Sequence, residues 1–418
     1  MENEELKQNP LWTKNFTIIT VGSIISMLGS VLSGFAMSLL VLDYTGSTFL
    51  FALYNVIYML PNTVMPALCG PFLDRFSRRK TIYTLDFITA GVYIIMALIL
   101  FTDHFSFPIL AVGCFIIGTI ESVYFVAYQS FYPLLITEGN YSKAYSIAST
   151  LETLTMVMVP VSALVYNSVG IVPLFLINAA SYFIAAVMET RIDAEEKYIE
   201  TQKNDKSDMV GGKRFIADFK EGMKYLISEK GLLAVAVYFT FSAFAGGATG
   251  SVTLPYFKST FENGEYIYML VWGMSAVGRV IGGTVHYKWK MPKEKKFTIA
   301  LIVYITISLI EGSYLYFPVA VMMCMCFFSG LGGVTSYTIR ISATQRYVPD
   351  EKKGRFNGAF GTLNTFGMLC GQLLAGALAE FLPIRGIISC VMAITVIAAI
   401  IFIGGNKKHV APIYNTQD

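Results

Sequence analysis

The chain has 418 residues, of which 55% are hydrophobic and 14% are charged, and its mean hydropathy is +0.58. This composition is far more apolar than that of an ordinary soluble domain, and it indicates a polytopic membrane protein embedded in a lipid bilayer. The formal net charge is only +3, so the charge balance does not point to a nucleic-acid partner, and none is expected.

Apolar runs bounded by polar residues predict an all-α membrane protein with twelve transmembrane helices, because about 20 apolar residues cross about 30 Å of hydrocarbon as a helix. Six spans are expected in an N-terminal bundle over residues 1–190 and six in a C-terminal bundle with a short tail over residues 231–418. Residues 191–230 form a polar central loop. We expect two pseudo-symmetric bundles with a cavity at their interface. The predicted spans are 16–42, 49–73, 82–101, 109–132, 145–166, 172–188, 232–256, 266–287, 297–310, 319–344, 356–379 and 386–403.

The placement of Lys and Arg predicts the orientation. The first residues, MENEELKQNPLWTKNF, lack the features of a secretory signal, so we expect the N-terminus in the cytoplasm. With that start, all but four of the 31 Lys and Arg fall in cytoplasmic segments. Lys258 and Arg385 fall outside, and Arg279 and Arg340 fall within spans. Because cytoplasmic loops are enriched in these residues, both termini are expected on the cytoplasmic side.

A short charged turn joins the second and third spans and carries the sequence GPFLDRFSRRK at residues 70–80. The pattern Gly-x-Leu-x-Asp-Arg-x-x-Arg-Arg/Lys, with Leu73 shifted by one position here, resembles the loop at this place in the major facilitator superfamily. The resemblance implies a loop that gates the transport cycle without touching substrate. The gating residues that it implies are Gly70, Asp74, Arg75, Arg78 and Arg79.

Further stretches resemble the bacterial drug and macrolide efflux branch of that superfamily, namely NFTIITVGSIISMLGS, LDYTGSTFLFAL and FKEGMKYLISEKGLL. This resemblance implies an alternating-access antiporter of the bacterial cytoplasmic membrane. Such a protein exports a lipophilic or amphipathic molecule of the drug, macrolide or siderophore type, with H⁺ as the coupling ion, and it contributes to multidrug resistance. A monomer is expected.

The second part of the central loop has helical periodicity. Phe215, Phe219, Met223 and Leu226 follow one another at steps of four, four and three residues, with cations alongside. This spacing predicts an amphipathic helix. It lies either on the inner membrane surface or packed beneath the bundle.

Acidic residues within spans are the strongest candidates for chemistry, because each is costly in lipid and normally faces protein or a wet cavity. Glu121 lies near the middle of the fourth span, with Phe125 and Tyr128 on the same helix face. Such a face suits an amphipathic cation or a proton carrier. A buried carboxylate paired with a hydroxyl or an Arg is the structural alternative. Glu152 and Asp86 are the other candidate carriers, and Asp86 could instead pair with the loop cations.

The candidate substrate cavity combines aromatic and cationic side chains: Phe125, Tyr128, Arg279 and Arg340. Either Arg could neutralise a carboxylate across the interface between the bundles, attract an anionic substrate or tether helices. Glycines spaced four apart allow close helix approach. The predicted glycine pairs are Gly246 with Gly250, Gly278 with Gly282, and Gly367 with Gly371.

Nothing in the sequence indicates an enzyme, a cofactor or a metal site. The six cysteines fall inside apolar runs without a CxxC pair, and no phosphate-binding loop is present to use ATP. The expected partner is a small-molecule substrate. Uptake or lipid movement through the same fold, and a non-transporting sensor or scaffold, are the alternatives.

Overall fold

A computed structural model describes residues 10–73, 76–102, 106–138, 140–194, 196, 211–288 and 291–415. The regular elements in these ranges are helices, which confirms the all-α fold class. The six helices before the central loop are α1 (Lys14–Thr45), α2 (Thr48–Leu73), α3 (Arg78–Phe101), α4 (Phe107–Phe131), α5 (Tyr141–Val169) and α6 (Ile171–Glu189).

The later helices begin with α7 (Gly211–Ser228), which occupies the second part of the central loop. They continue with α8 (Lys230–Thr260), α9 (Gly264–Lys288), α10 (Lys296–Ser313), α11 (Val319–Tyr347), α12 (Asp350–Leu378), α13 (Ile384–Ala398) and α14 (Lys407–Tyr414). A π-helical segment, Ala399–Gly404, extends α13.

Within the described residues, nine helical segments are long and apolar enough to cross a membrane. Helices α5, α9 and α12 are not among these nine. Helix α9 contains Glu265 and Arg279, and α12 begins with a charged turn, so both are less apolar than their neighbours. The count of twelve spans therefore stays a prediction.

Packing divides the chain into two compact units. Unit 1 comprises residues 1–46 and 57–214, and unit 2 comprises residues 47–56 and 215–418. The beginning of α2 therefore belongs to unit 2 and the rest of that helix to unit 1. The predicted boundaries at residues 190 and 230 stay a prediction.

Unit 1 is built around α6, which packs against α1 and α3. Helix α1 begins where the Thr13 hydroxyl accepts a hydrogen bond from the Phe16 backbone N–H at 3.2 Å, and it ends at Gly46, whose φ of 60° favours glycine. Phe16 and Phe131 are fully buried in an apolar cluster between α1 and α4. The cluster also contains Ile82 of α3, so it packs one end each of α1, α3 and α4 together.

Unit 2 is built on two close helix pairs, α8 with α12 and α9 with α11. A Cβ atom at Gly247 would collide with the Met368 backbone carbonyl, and one at Gly371 would collide with the carbonyl of Phe244. The predicted contact of Gly246 and Gly250 is wrong, because an added Cβ at either position meets nothing within 4 Å. The close approach uses Gly247, which lies on a different face of the helix.

The predicted pairs on α9 and α12 do lie at helix interfaces. Gly278 faces the backbone of Phe327 on α11, and Gly367 faces that of Thr240 on α8. Small residues there allow the backbones to approach closely, as in many membrane helix pairs.

Helix α7 packs into unit 2. Leu226 is fully buried in a core cluster with Val235 of α8 and Phe356 of α12. Gly222 abuts the Arg355 backbone. Of the two alternatives for this amphipathic helix, the contacts favour packing against the bundle. Phe215 lies outside the residues whose side chains the structure describes.

Candidate functional site

Glu121 of α4 is half-buried and has hydroxyl partners from two other helices of unit 1. The Tyr58 hydroxyl of α2 donates a hydrogen bond to Glu121 Oε2. The Tyr182 hydroxyl of α6 is its second partner. No cation among the described residues contacts this carboxyl group. Glu121 is therefore a membrane-embedded acid held by neutral donors, which is the hydroxyl pairing of the structural alternative, and its role as a carrier stays a prediction.

The hydroxyl contacts of Glu121 continue across unit 1. Tyr182 shares a hydrogen bond of 2.7 Å with the Ser30 hydroxyl of α1. The Tyr93 ring of α3 stacks on that of Tyr182 with 6.1 Å between centroids, and its hydroxyl accepts a 3.4 Å bond from Ser33. Asn178 donates to Ser33 at 2.6 Å. Because hydroxyls both donate and accept, this network can adapt to either charge state of Glu121.

The aromatic side chains that follow Glu121 separate into two groups. Tyr128 stacks between Tyr124 and Tyr132, with centroid distances of 5.9 and 5.3 Å. Tyr132 also donates its hydroxyl to the Ala144 carbonyl at 3.0 Å. Phe125 is 58% exposed and takes no part in this stack. The structure therefore does not join the two predicted cavity residues of α4 in one cluster.

Asp86 of α3 is buried and contacts the carboxyl group of Glu189, the last residue of α6. Sequence reasoning missed Glu189 because the predicted sixth span ends at Met188. The structural alternative is that Asp86 pairs with the loop cations, and the described residues do not show this pairing. Arg78 and Arg79 contact other groups.

These two arginines tie the start of α3 to neighbouring segments of unit 1. Arg78 Nη1 donates to the Ser130 carbonyl at 3.1 Å, and Arg79 Nη1 donates to the Ile192 carbonyl. Their backbone N–H groups donate to the Glu196 carboxylate at 2.7 and 3.3 Å. This part of the predicted gating loop therefore holds the end of α4 and the segment after α6.

Four predicted functional residues lie outside the residues whose side chains the structure describes. Their roles stay predictions. They are Gly70, Asp74, Arg75 and Glu152.

Arg279 of α9 has an acidic neighbour in unit 2. Glu311 of α10 accepts a 2.7 Å hydrogen bond from the Ser329 hydroxyl, and the positive charge of Arg279 acts on its carboxyl group. Both residues lie in unit 2, so this pair is not the predicted partnership across the interface between the bundles, which stays a prediction. Glu311 was missed because the predicted ninth span ends at Ile310.

Arg340 of α11 lies among aromatic rings in unit 2. Its guanidinium carbon is 5.0 Å from the Phe239 ring centroid, 5.1 Å from that of Phe360 and 5.4 Å from that of Tyr337. Within the described part of the chain, no carboxylate contacts it. The rings stabilise the cation through their faces, so its charge stays available to an anionic group.

A sequence model of the Major Facilitator Superfamily matches residues 19–371. The chain is 24% identical over 329 residues to the uncharacterized MFS-type transporter YkuC of Bacillus subtilis, an alignment that covers 75% of each protein. It is 21% identical over 373 residues to macrolide efflux protein A of Streptococcus pyogenes, covering 88% of this chain and 90% of the relative. These matches confirm the resemblance inferred from the loop motif.

Solved structures show the same fold. The crystal structure of the nucleoside transporter NupG superposes with a TM-score of 0.62 at 14% identity, covering 94% of this chain and 100% of NupG. A mutant form of NupG gives the same TM-score at 12% identity and covers 94% of this chain and 98% of the mutant chain. At these identities, the likeness supports the fold alone.

Proposed function

The chain belongs to the Major Facilitator Superfamily, and we propose that it exports a lipophilic or amphipathic small molecule in exchange for protons. It is a multi-pass membrane transporter of that family. The observation that carries the proton-coupling part of the proposal is the Glu121 carboxyl group, which lies within α4 and is held by the hydroxyls of Tyr58 and Tyr182.

Glu121 suits a proton carrier because its partners are neutral. An Arg or Lys beside it would fix the carboxylate in its charged form, whereas a hydroxyl can donate to the ionised acid and accept from the protonated one. An acid within a span that can take both forms is a means of coupling proton movement to transport. Glu121 is therefore the first candidate carrier of this proposal.

Export and the substrate class are supported by relatives. Macrolide efflux protein A, 21% identical to this chain, is named for macrolide efflux. In this chain, Phe125 offers an exposed ring, Tyr128 a stacked one, and Arg340 a cation among aromatic faces. Such surfaces suit an amphipathic substrate of the drug, macrolide or siderophore type.

The distribution of Lys and Arg supports a cytoplasmic location for both termini, as part of the same proposal. The chain would then act as a monomeric antiporter in the bacterial cytoplasmic membrane, by alternating access. The described gating-loop residues, Arg78 and Arg79, would hold the cytoplasmic ends of helices in unit 1 during one part of the cycle.

Transport into inverted membrane vesicles tests this proposal. Vesicles from a pump-deleted bacterial host would be energised to acidify their interior and given a radiolabelled macrolide or a lipophilic cation. The wild-type protein is expected to accumulate the probe and to lose that activity when a protonophore collapses the gradient. Glu121→Gln is expected to abolish the gradient-driven component while leaving the protein in the membrane.

The matched control is Glu138→Gln, which neutralises an exposed carboxylate between α4 and α5 and is expected to transport normally. Accumulation only with the opposite gradient would identify uptake and refute export. Wild-type, gradient-driven accumulation by Glu121→Gln would remove Glu121 from the mechanism. No probe movement over a wide compound screen would favour the sensor or scaffold alternative.

A further inference from the structure

The strongest unexplained feature of unit 1 is the contact between two buried acids on different helices. Asp86 of α3 is 1% exposed, and Glu189 at the end of α6 is 0% exposed. Their carboxyl groups contact each other. Neither ionised carboxylate has a proton to donate, so Asp86 Oδ2 and both Glu189 oxygens lack a donor within the described residues when both groups are charged.

The helices around this pair contribute hydroxyls. From α1, Gly22 leaves space for the pair, since a Cβ there would lie 3.4 Å from Glu189 Oε1. The adjacent Ser23 is 4% exposed, and its hydroxyl interacts with that of Tyr124 on α4. Neither hydroxyl makes a well-formed hydrogen bond within the described part of the chain. Tyr124 also lies near both acids.

The titratable groups that face the pair are phenols. They are Tyr124 from α4 and, near Asp86, Tyr182 from α6. The facing residues of α1, Gly22 and Ser23, carry no charge. Among the described side chains, the pair therefore meets no cation that could balance two negative charges.

Two like charges in contact, away from water and without a cation, repel strongly. One proton between the groups turns this repulsion into a charge-assisted hydrogen bond, in which the protonated acid donates to the carboxylate. The hydroxyls of Ser23 and Tyr124 can donate to the remaining negative charge. A second proton would make the site neutral and would release those hydroxyls.

We propose that Asp86 and Glu189 form a single proton-binding site in unit 1, which carries one proton in its resting form and takes up a second during the transport cycle. The step moves one proton between water and a carboxylate oxygen, and no other bond changes. This inference rests on the proposed proton-coupled transport, to which it adds a second carrier site and a residue, Glu189, that interacts with Asp86.

Proton binding can be measured without transport. Purified full-length protein in lipid nanodiscs would be titrated by infrared difference spectroscopy of the carboxyl C=O stretch, without substrate or gradient. Comparison of wild type with an Asp86→Asn, Glu189→Gln double variant isolates the pair. The wild-type pair is expected to titrate in two separate steps, because the two protons bind to interacting groups.

The single variants decide whether the acids act together. In Asp86→Asn or in Glu189→Gln, the remaining acid is expected to titrate in one step, displaced by more than about one pH unit from both wild-type steps. Steps that coincide with those of the wild type would show independent acids and overturn the proposal. Glu138→Gln, the exposed control, should leave both steps unchanged.

Two more conservative variants retain both acids, and they test the proposal even if the amide variants fail to fold. Tyr124→Phe and Ser23→Ala each remove one hydroxyl that can donate to the charged pair. At least one of them is expected to move a titration step to higher pH by about one unit. No movement in either variant would overturn the site as described.

Parallel measurements separate this inference from the proposed function. Two-step titration in a protein that transports without proton coupling would leave the site intact and refute proton-driven export. Proton-driven export with independent titration of the two acids would support the proposed function and overturn the shared proton-binding site. Displacement of the bands when Na⁺ replaces choline in the buffer would identify a metal-cation site and overturn proton binding.

Discussion

Two neighbouring glycines of α8 offer a sharp test of the packing in unit 2. At Gly247 an added Cβ would collide with the Met368 backbone on α12, whereas at Gly246 it would meet nothing within 4 Å. The obstacle at Gly247 is backbone, which cannot rotate away as a side chain would. The Gly247→Ala change therefore forces α8 and α12 apart, at a cost of about 1–3 kcal/mol for overpacking.

The neighbouring variant supplies the reference. Both Ala substitutions gain about 0.5–1 kcal/mol from higher helix propensity, and this gain cancels when the two variants are compared. We expect Gly246→Ala to be slightly stabilised and Gly247→Ala to be less stable than Gly246→Ala by the overpacking cost of about 1–3 kcal/mol. The difference isolates the helix contact from the intrinsic effect of Ala.

The assay is reversible unfolding of the purified protein in mixed detergent micelles, followed by tryptophan fluorescence. Thermal unfolding in one non-ionic detergent would serve as a second measurement. Gly371→Ala, which tests the same contact from α12, should resemble Gly247→Ala. Equal stability of Gly246→Ala and Gly247→Ala would refute the assigned interface, since the close approach would then have no energetic consequence.

Three further predictions concern unit 2. Leu226→Ala should lower the free energy of unfolding by about 2–5 kcal/mol, whereas Ile227→Ala, at a 59% exposed position, should change it by less than about 0.5 kcal/mol. Equal effects of the two variants in chemical unfolding would contradict the packing of α7 against unit 2. A backbone hydrogen bond from Phe49 lowers the pKa of Glu380, and the ionised carboxylate is expected to stabilise the fold by less than about 1 kcal/mol at this exposed site. This stabilisation is present above the ordinary Glu pKa and is lost as pH falls through the lowered pKa. Glu380→Gln should remove this component from a plot of stability against pH. Arg340→Met should alter the free energy of unfolding by no more than about 1 kcal/mol, because the loss of contacts with the aromatic rings is offset by removal of a charge that has no carboxylate partner among the described residues. A loss above about 3 kcal/mol in the same unfolding assay would reveal an ion-pair partner.

The helical architecture could be predicted from sequence because hydropathy is a local property. The predicted first span, residues 16–42, lies within Lys14–Thr45, and the sixth, residues 172–188, nearly coincides with Ile171–Glu189. The amphipathic pattern of α7 was likewise visible, but only the contacts of Leu226 favour packing over a membrane-surface position.

The sites were less predictable, and the two missed acids show why. Glu189 and Glu311 each stand one residue beyond a predicted span, since a hydropathy boundary is drawn where a charge interrupts an apolar run. The same rule that finds the helices therefore hides acids at their ends. The partners of Glu121 were inaccessible for another reason: Tyr58 is 63 residues away in sequence, and no local pattern indicates which hydroxyl it meets.

The charges inside the two units differ in kind, and this difference locates the proposed proton chemistry. Three acids of unit 1, Glu121, Asp86 and Glu189, have hydroxyl or carboxyl partners. In unit 2, Glu311 also has a hydroxyl partner, Ser329, but it lies in the field of the Arg279 cation. The field of a cation favours the charged form of a carboxylate, and the three acids of unit 1 have no such cation among the described residues. Proton uptake coupled to transport should therefore respond to amide substitutions in unit 1, while Glu311→Gln should mainly leave Arg279 without its partner and reduce stability.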